Sequence, residues 1–405
     1  MAEETLRDLP ARAIIGHIAE AAARWRNADF PPRVRATASI EARLGYSLPV
    51  IEYALDRLFF GITAQGLETA ITAELGSVET LDGPLLHESA VGAWARGVEW
   101  AVVVSSDTTV GVALPAALFA LCAKARVVVK DRSDALVAGF FETLAEEHPA
   151  FSHAAIALPW DGGSDPIEDE LFTTADVVVA YGRDEALAAI RGRCGPETRF
   201  VPFGHRASIG RLSARGVQEL DAMRADALVR DALLYDGEGC LSLHATFVTG
   251  RTGALAQVAS LLAAAGERAA LEFPVGTRTP ERIAAIAGYR NLSRYRAATR
   301  GGAMIDTGTA VVVEGSLDAP PPFLPGALVV IPISGDDDVA AYVAAHQLPV
   351  QALGVDVVDP AAIELAARIG AVRVCLFGTM QDPPLAGHHG GEPRISPFVR
   401  WLDTQ

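Results

Sequence analysis

The sequence predicts an α/β protein of two domains, on three observations. Short β-branched runs, AVVVSS (101–106), RVVVK (126–130) and ADVVVAYG (175–182), alternate with helical stretches such as VALPAALFALCAK (112–124). Strands that are apolar throughout and joined by helices belong to a parallel sheet covered on both faces. The alternation runs through two series, and 405 residues exceed what one ordinary core accommodates.

Each element follows in order. Residues 1–75 read as helical, because ARAIIGHIAEAAARW and PVIEYALDRLFFGI carry apolar residues at three- and four-residue spacing on either side of a Pro-Pro break at 31–32. In 112–124 Pro115 stands early in the helix, where proline is tolerated. ADVVVAYG leads into the helix DEALAAIR, and RFVPFG (199–204) is a further strand ending at glycine. A helix is expected at 213–233, then the turn YDGEGC (235–240) and the strand HATFVTG. Helix 252–265, strands near 309–314 and 327–333, helix 337–346, strand 352–357, helix 359–369 and strand 372–378 complete the second series. We place the boundary near 235. Residues 1–235 are read as N-terminal helices and a nucleotide-binding domain, completed by 376–405, and residues 236–375 as a second α/β domain.

Half of the residues are apolar and 21% are charged, which suits a soluble globular chain. A formal net charge of −16 argues against nucleic acid as a partner, since duplex binding needs a clustered basic surface. No window approaches ~18 uninterrupted apolar residues, so no membrane span is expected. The opening MAEETLRDLPAR lacks the basic-then-apolar layout of a secretory signal, and a cytoplasmic location is expected. Cysteines at 122, 194, 240 and 375 show neither CxxC spacing nor a zinc-like pairing with histidine, so reduced thiols and no metal site are expected. Nearly every cation is arginine; only Lys124 and Lys130 are lysines.

Cys240 sits in DGEGCLSLHATFV, where two nearby glycines let the backbone approach a ligand. A loop thiol beside free backbone N–H groups can ionise and have its product oxyanion stabilised; the alternative is a small buried hydrophobe. Cys122 and Cys375 fit that alternative, and Cys194 reads as an incidental surface thiol. Lys130 closes a strand, and open α/β sheets bind ligands outside the carboxyl ends of their strands. It either meets a ribose hydroxyl or phosphate or is a solvated loop lysine. Gly182 closes another strand and opens a helix whose amides face a pyrophosphate if one binds there. His244 follows Cys240 by four residues, but in a strand the two side chains need not converge. His388 and His389 read as a polar cleft loop rather than a metal pair.

Taken together, SSDTT (105–109), ARVVVK with Lys130, AYG with Gly182, PFGHR (202–206) and EGCLSLHATFV with Cys240 resemble the aldehyde-dehydrogenase superfamily. RWRNADFPPR…LGYSLPVIEYALDRL, GHRASIG and LFGTMQDPPLAGHHGGEPRISPFVRWLD are similar, within it, to the acyl-CoA reductases of the bacterial bioluminescence fatty-acid reductase complex, the LuxC-type family. The resemblance covers nearly the whole chain. It implies an aldehyde-dehydrogenase-like fold with a Rossmann-type cofactor domain and a catalytic domain carrying Cys240 as acyl-accepting nucleophile. It further implies NADP as cofactor, with NAD the alternative, and Ser105, Lys130, Arg132 and Gly182 as its contacts. The implied partners are an acyl-CoA or acyl-carrier substrate, an acyl-activating synthetase or carrier protein, and further copies of the chain in a homo-oligomer.

Two departures from the superfamily pattern sharpen the expectation. Hydrolytic members place a water-activating glutamate roughly at Pro202, and VPFGHR has no carboxylate, which suits reduction of an acyl-enzyme over its hydrolysis. Where the family places an asparagine amide as oxyanion donor, this chain has Asp107, and an ionised aspartate accepts rather than donates. Either Asp107 is turned away, or it is protonated, or the Cys240 N–H and another donor, for which Thr108 and Thr109 are candidates, take its place. A degenerate acyl-binding or scaffold subunit, and a reductase of an acyl phosphate, are the competing functions.

Overall fold

A computed structural model describes residues 4–86, 92–106, 109–131, 135–160, 162–163, 166–250 and 252–404. The chain forms two compact units: Met1–Leu44 with Ile51–Gly204 and Pro384–Gln405, and Gly45–Val50 with His205–Pro383.

The N-terminal helices are α1 (Ala11–Trp25), α2 (Pro31–Leu44), α3 (Leu48–Gly61) and α4 (Ala64–Leu75). After the short strands β1 (Leu85–Leu86) and β2 (Gly92–Gly97) comes a strand–helix series: β3 (Trp100–Val104), α5 (Ala113–Cys122), β4 (Arg126–Lys130), α6 (Leu136–Glu147), β5 (Ala155–Leu158), α7 (Pro166–Thr174), β6 (Val177–Tyr181), α8 (Asp184–Arg191) and β7 (Arg199–Phe203). β3 to β7 form an all-parallel sheet ordered β5-β4-β3-β6-β7. Numbered within the sheet this is 3-2-1-4-5, the doubly wound order, whose direction reverses between β3 and β6. α5 is apolar all round and only Pro115 and Ala116 escape full burial, as expected of a helix enclosed by its domain. The α1, α3 and α6 helices meet at Trp25, Phe59 and Phe140, with Trp25 and Phe59 rings 5.0 Å apart; the buried indole N–H of Trp25 donates to Thr143 Oγ1 at 2.9 Å.

The second unit contains β8 (Ala207–Leu212), α9 (Ala214–Gln218), α10 (Ala222–Leu233), β9 (Leu243–Thr249), α11 (Thr252–Glu272), α12 (Pro280–Arg300), β10 (Met304–Asp306), β11 (Val311–Glu314), β12 (Ala327–Ile333), α13 (Asp336–Ala345), β13 (Val350–Val355), α14 (Pro360–Arg368) and β14 (Arg373–Leu376). Its sheet has the order β10-β11-β12-β9-β8-β13-β14, parallel except for the β10–β11 pair. The last strand, β15 (Val399–Thr404), returns to the first unit and pairs antiparallel with β2.

The division falls after Gly204, not near 235. The reason is β8: ASIGRL hydrogen-bonds between β9 and β13, in the middle of the second sheet, so the chain has already changed domains by Ala207. The single helix expected at 213–233 is two, broken where Asp221 caps the second by accepting from Arg224 N–H at 2.9 Å. α11 runs well past 265, and α12 is a whole helix where none was expected. Only Ile286 and Ser293 of α12 are buried, and apolar residues such as Ile283, Leu292 and Tyr295 stay exposed, so the helix packs little of its surface into the core.

Candidate active site

In the second unit, the chain between α10 and β9 is forced into a tight reversal. Tyr235, Asp236 and Gly237 have φ of 56°, 56° and 69°, three consecutive residues in the left-handed region. Only glycine takes that region without steric cost, so two non-glycine residues there need outside support. Two arginines provide it. Arg278 grips Asp236 in a bidentate pair, Nε donating to Oδ2 at 2.7 Å and Nη2 to Oδ1, and Arg282 pairs with Glu238. The Tyr235 ring also lies 6.1 Å from that of Tyr46.

This braced turn delivers Cys240. Its carbonyl accepts from the fully buried Ser208 hydroxyl on β8 at 2.7 Å, which pins the main chain. Ser242 N–H donates to Gly239 at 2.9 Å, and Gln381 bridges the Ser242 hydroxyl and the Asp231 carbonyl at 3.2 and 2.9 Å. Cys240 itself is exposed, unlike the buried Cys122 and Cys375. Its sulfur is nonetheless crowded by protein atoms, which pushes the thiol pKa up; its own N–H, the Arg206 guanidinium and the Leu241 N–H act in the opposite direction. The sulfur therefore faces two main-chain donors and one cation, a set suited to an anion on or next to it.

Among the described residues, the groups that act on the Cys240 sulfur include no general base. His244 lies on β9 against Phe323, ring centroids 4.8 Å apart, and burial lowers its pKa to about 4. It is neutral near pH 7, and its Nδ1 is buried without a protein partner. Behind the turn, the buried Asp231 carboxyl accepts from the N–H groups of Gly378 and Met380; burial raises its pKa to about 7 despite those bonds.

In the first unit, the strand ends on either side of the reversal point carry the expected cofactor residues. Ser105 follows β3, and its N–H donates to Lys130 C=O at 3.3 Å, keeping the ends of β3 and β4 paired. Gly182 follows β6 and donates to Phe203 C=O at 3.2 Å; a Cβ there would meet only Ala186, so its backbone is open to close approach. The α8 helix that it opens begins with Asp184 and Glu185, whose charges compete with an incoming phosphate for that N-terminus. Asp107, Thr108 and Arg132 lie outside the described residues. Pro202 is in β7, paired with Ala180, and Phe203 behind it stacks on Tyr181 with centroids 4.8 Å apart. His389 packs edge-on against Phe203 at 4.5 Å, and burial lowers its pKa to about 4. Among the described residues no three metal-binding side chains converge.

Lys130 is the residue whose setting the sequence does not disclose. It is 3% exposed and held by a buried carboxylate: Nζ donates to Glu168 Oε1 at 3.1 Å. The same oxygen accepts from Trp160 Nε1 at 3.0 Å, and Oε2 accepts from Gly163 N–H at 2.8 Å and from Arg193. Burial alone would raise the Glu168 pKa, but these donors together hold it at about 2. Trp160 also stacks under the cation, Nζ 5.0 Å from the ring centroid. Glu168, Trp160, Arg193, Arg206, Ser208 and Gln381 were not singled out in the sequence. Arg206, Ser208 and Gln381 lie inside stretches that carry the family resemblance, whereas Glu168, Trp160 and Arg193 had no local signal.

The site can be compared with known proteins on this geometry. The family model described as "Acyl-CoA reductase (LuxC)" matches residues 6–401. A long-chain acyl-protein thioester reductase from Aliivibrio fischeri is 24% identical over 236 residues, 56% of this chain and 48% of that protein, so the match spans about half of the relative's length. Among solved structures, an NAD-dependent benzaldehyde dehydrogenase from Corynebacterium glutamicum aligns with a TM-score of 0.72 at 15% identity, covering 98% of this chain and 86% of that one. A glyceraldehyde-3-phosphate dehydrogenase from Methanocaldococcus jannaschii, complexed with NADP, aligns with a TM-score of 0.72 at 10% identity, covering 98% and 90%. At such identities these two likenesses show the fold alone: the two-domain α/β architecture is that of aldehyde dehydrogenases. With the family model matched from residue 6 to residue 401, the chain belongs to the acyl-CoA reductase (LuxC) family.

Proposed function

We propose that this protein reduces a fatty acyl thioester, carried by coenzyme A or by a protein, to the aldehyde through an acyl-enzyme on Cys240. The observation that carries the proposal is the setting of that residue: Cys240 is exposed on a braced turn, and its sulfur is faced by two N–H groups and Arg206. The Cys240 thiolate attacks the thioester carbonyl, the new C–S bond forms, the carrier C–S bond breaks, and the carrier leaves as a thiol after taking a proton. The N–H groups of Cys240 and Leu241 receive the oxyanion. A nicotinamide dinucleotide, when bound, supplies the hydride. NADPH is the expected form, and NADH the alternative. The acyl carbon accepts the hydride and becomes a thiohemiacetal on Cys240; its collapse releases aldehyde and returns the thiolate. Pro202, where hydrolytic relatives of this fold carry a base, leaves water unactivated and spares the acyl-enzyme.

In this reading Ser105, Lys130, Arg132 and Gly182 form the dinucleotide site and Asp107 flanks the reacting carbonyl. An acyl-activating synthetase or carrier protein delivers the substrate. The assembly is a homo-oligomer, for which β15, an edge strand with exposed Trp401 and Leu402, is one surface. Among the described residues no helix is long and apolar enough to cross a membrane. The test is NADPH and NADH oxidation with long-chain acyl-CoA, acyl-carrier thioester and acyl phosphate, with aldehyde measured in parallel. Aldehyde formed in proportion to dinucleotide oxidised from a thioester supports the proposal. No turnover with any thioester overturns it; turnover with the acyl phosphate alone transfers the function to that donor.

A further inference from the structure

In a doubly wound sheet the adenosine ribose of a dinucleotide sits at the carboxyl end of the second strand, where an acidic residue binds the 2′-hydroxyl or a cation accommodates a 2′-phosphate. Here that strand is β4, and it ends on Lys130. The lysine is not a free cation. It shares a buried network in which Lys130 and Arg193 are balanced by Glu168 and Asp169, Arg193 Nε lying 2.6 Å from Asp169 Oδ1. Both Glu168 oxygens are fully engaged, and the residue is 2% exposed. With its pKa held at about 2, the carboxylate is charged at every working pH.

We propose that Glu168 is the specificity-determining residue for the dinucleotide: by neutralising Lys130 it sets how far a 2′-phosphate is favoured over a free 2′-hydroxyl. The inference rests on the reading that the end of β4 takes the dinucleotide. A 2′-phosphate gains from Lys130 only what Glu168 leaves of its charge, and it meets a fixed carboxylate beside it. An unphosphorylated ribose carries no charge for that carboxylate to repel, and with both Glu168 oxygens already engaged the effect on a bound nucleotide is that of the charge alone. Glu168 lies on α7, beyond the strand after β4, so its sequence position gives no hint of this role.

The experiment is calorimetric binding of NADP⁺ and NAD⁺, and of 2′,5′-ADP and 5′-AMP, to the full chain and to Glu168→Gln. The glutamine keeps the shape and an acceptor for Trp160 or Gly163 while removing the charge. NADP⁺ and 2′,5′-ADP should tighten by about tenfold or more, the order expected when one nearby charge is removed in a partly shielded site, with NAD⁺ and 5′-AMP moving by less than about threefold. A merely structural role would move both pairs together. An unchanged ratio of the two dissociation constants overturns the inference, as does a failure of either dinucleotide to bind. If Glu168→Gln does not fold, Arg193→Gln tests the opposite sign: it leaves the network one positive charge short, so NADP⁺ should weaken about tenfold relative to NAD⁺, and an unchanged ratio again overturns it. Binding is read without turnover, so a shifted ratio with no acyl reduction sinks only the proposed function. Acyl reduction with an unshifted ratio sinks only the role of Glu168.

Discussion

The Cys240 turn and the Lys130 network solve opposite problems. Cys240 is presented: its backbone is pinned by Ser208, the preceding turn is braced by Arg278 on Asp236 and Arg282 on Glu238, and the residue stays exposed. Lys130 is enclosed, with its charge matched by Glu168, an aromatic face beneath it and almost no exposed surface. In the first, structure is spent on holding a reactive atom ready; in the second, on limiting what a charge does. The difference teaches that residue type indicates reactivity only after its partners are known, because a buried, paired cation and a free one are different ligands.

This contrast can be broken or sharpened by experiment, beginning with the largest effect. Arg278→Ala leaves Asp236 as a partly buried carboxylate without its partner, in a strained turn. Unfolding stability should fall by about 3 kcal/mol, and Cys240 acylation should slow; a change within ~0.5 kcal/mol shows that the turn does not depend on the clamp. Thermal or denaturant melts read the first effect and intact mass the second.

The thiol pKa is raised, so the thiolate fraction at neutral pH is small and alkylation of Cys240 by iodoacetamide should climb about tenfold per pH unit beyond pH 8. Arg206→Gln should slow it several-fold at fixed pH, since the cation lowers that pKa. A rate already flat at pH 7 would mean that the crowding does not control the sulfur.

Asp231 gives a stability signature. The unfolded carboxyl loses its proton near its ordinary value, whereas the folded one keeps it to about pH 7, so between about pH 4 and 7 the native state binds more protons. Its contribution is fully present below that window and is lost as pH rises through it. Melting temperatures of the wild type relative to Asp231→Asn should therefore decline from pH 4 to 7, and parallel curves contradict this. The smallest effect expected is for His244→Gln: neutral and turned against Phe323, it should change turnover by less than about threefold, whereas a loss of ~10² or more, the size of general-base catalysis, would make it a partner of Cys240.

Most of the parallel strands were legible because their apolar runs are short, β-branched and punctuated by glycine, whereas α6, β5 and α7, between 131 and 174, were not read at all. The Cys240 turn was legible too, since Gly237 and Gly239 advertise unusual backbone. Three further features were hidden. β8, ASIGRL, has no β-branched run and follows another strand with no intervening helix, which hid the domain change at 204. α12 leaves apolar residues such as Ile283, Leu292 and Tyr295 exposed, and its arginines serve Glu238 and Asp306 rather than a core. The Lys130–Glu168 pair joins residues on separate elements, and nothing local to either reports the other.

The most direct measurement of the central claim is intact-protein mass spectrometry with peptide mapping after incubation with a long-chain acyl thioester and no dinucleotide. The account predicts one acyl group per chain, on Cys240, absent from Cys240→Ala, and discharged as aldehyde when NADPH is added. A wild-type chain that takes up no acyl group, or a Cys240→Ala chain that still oxidises NADPH with the thioester, would contradict it.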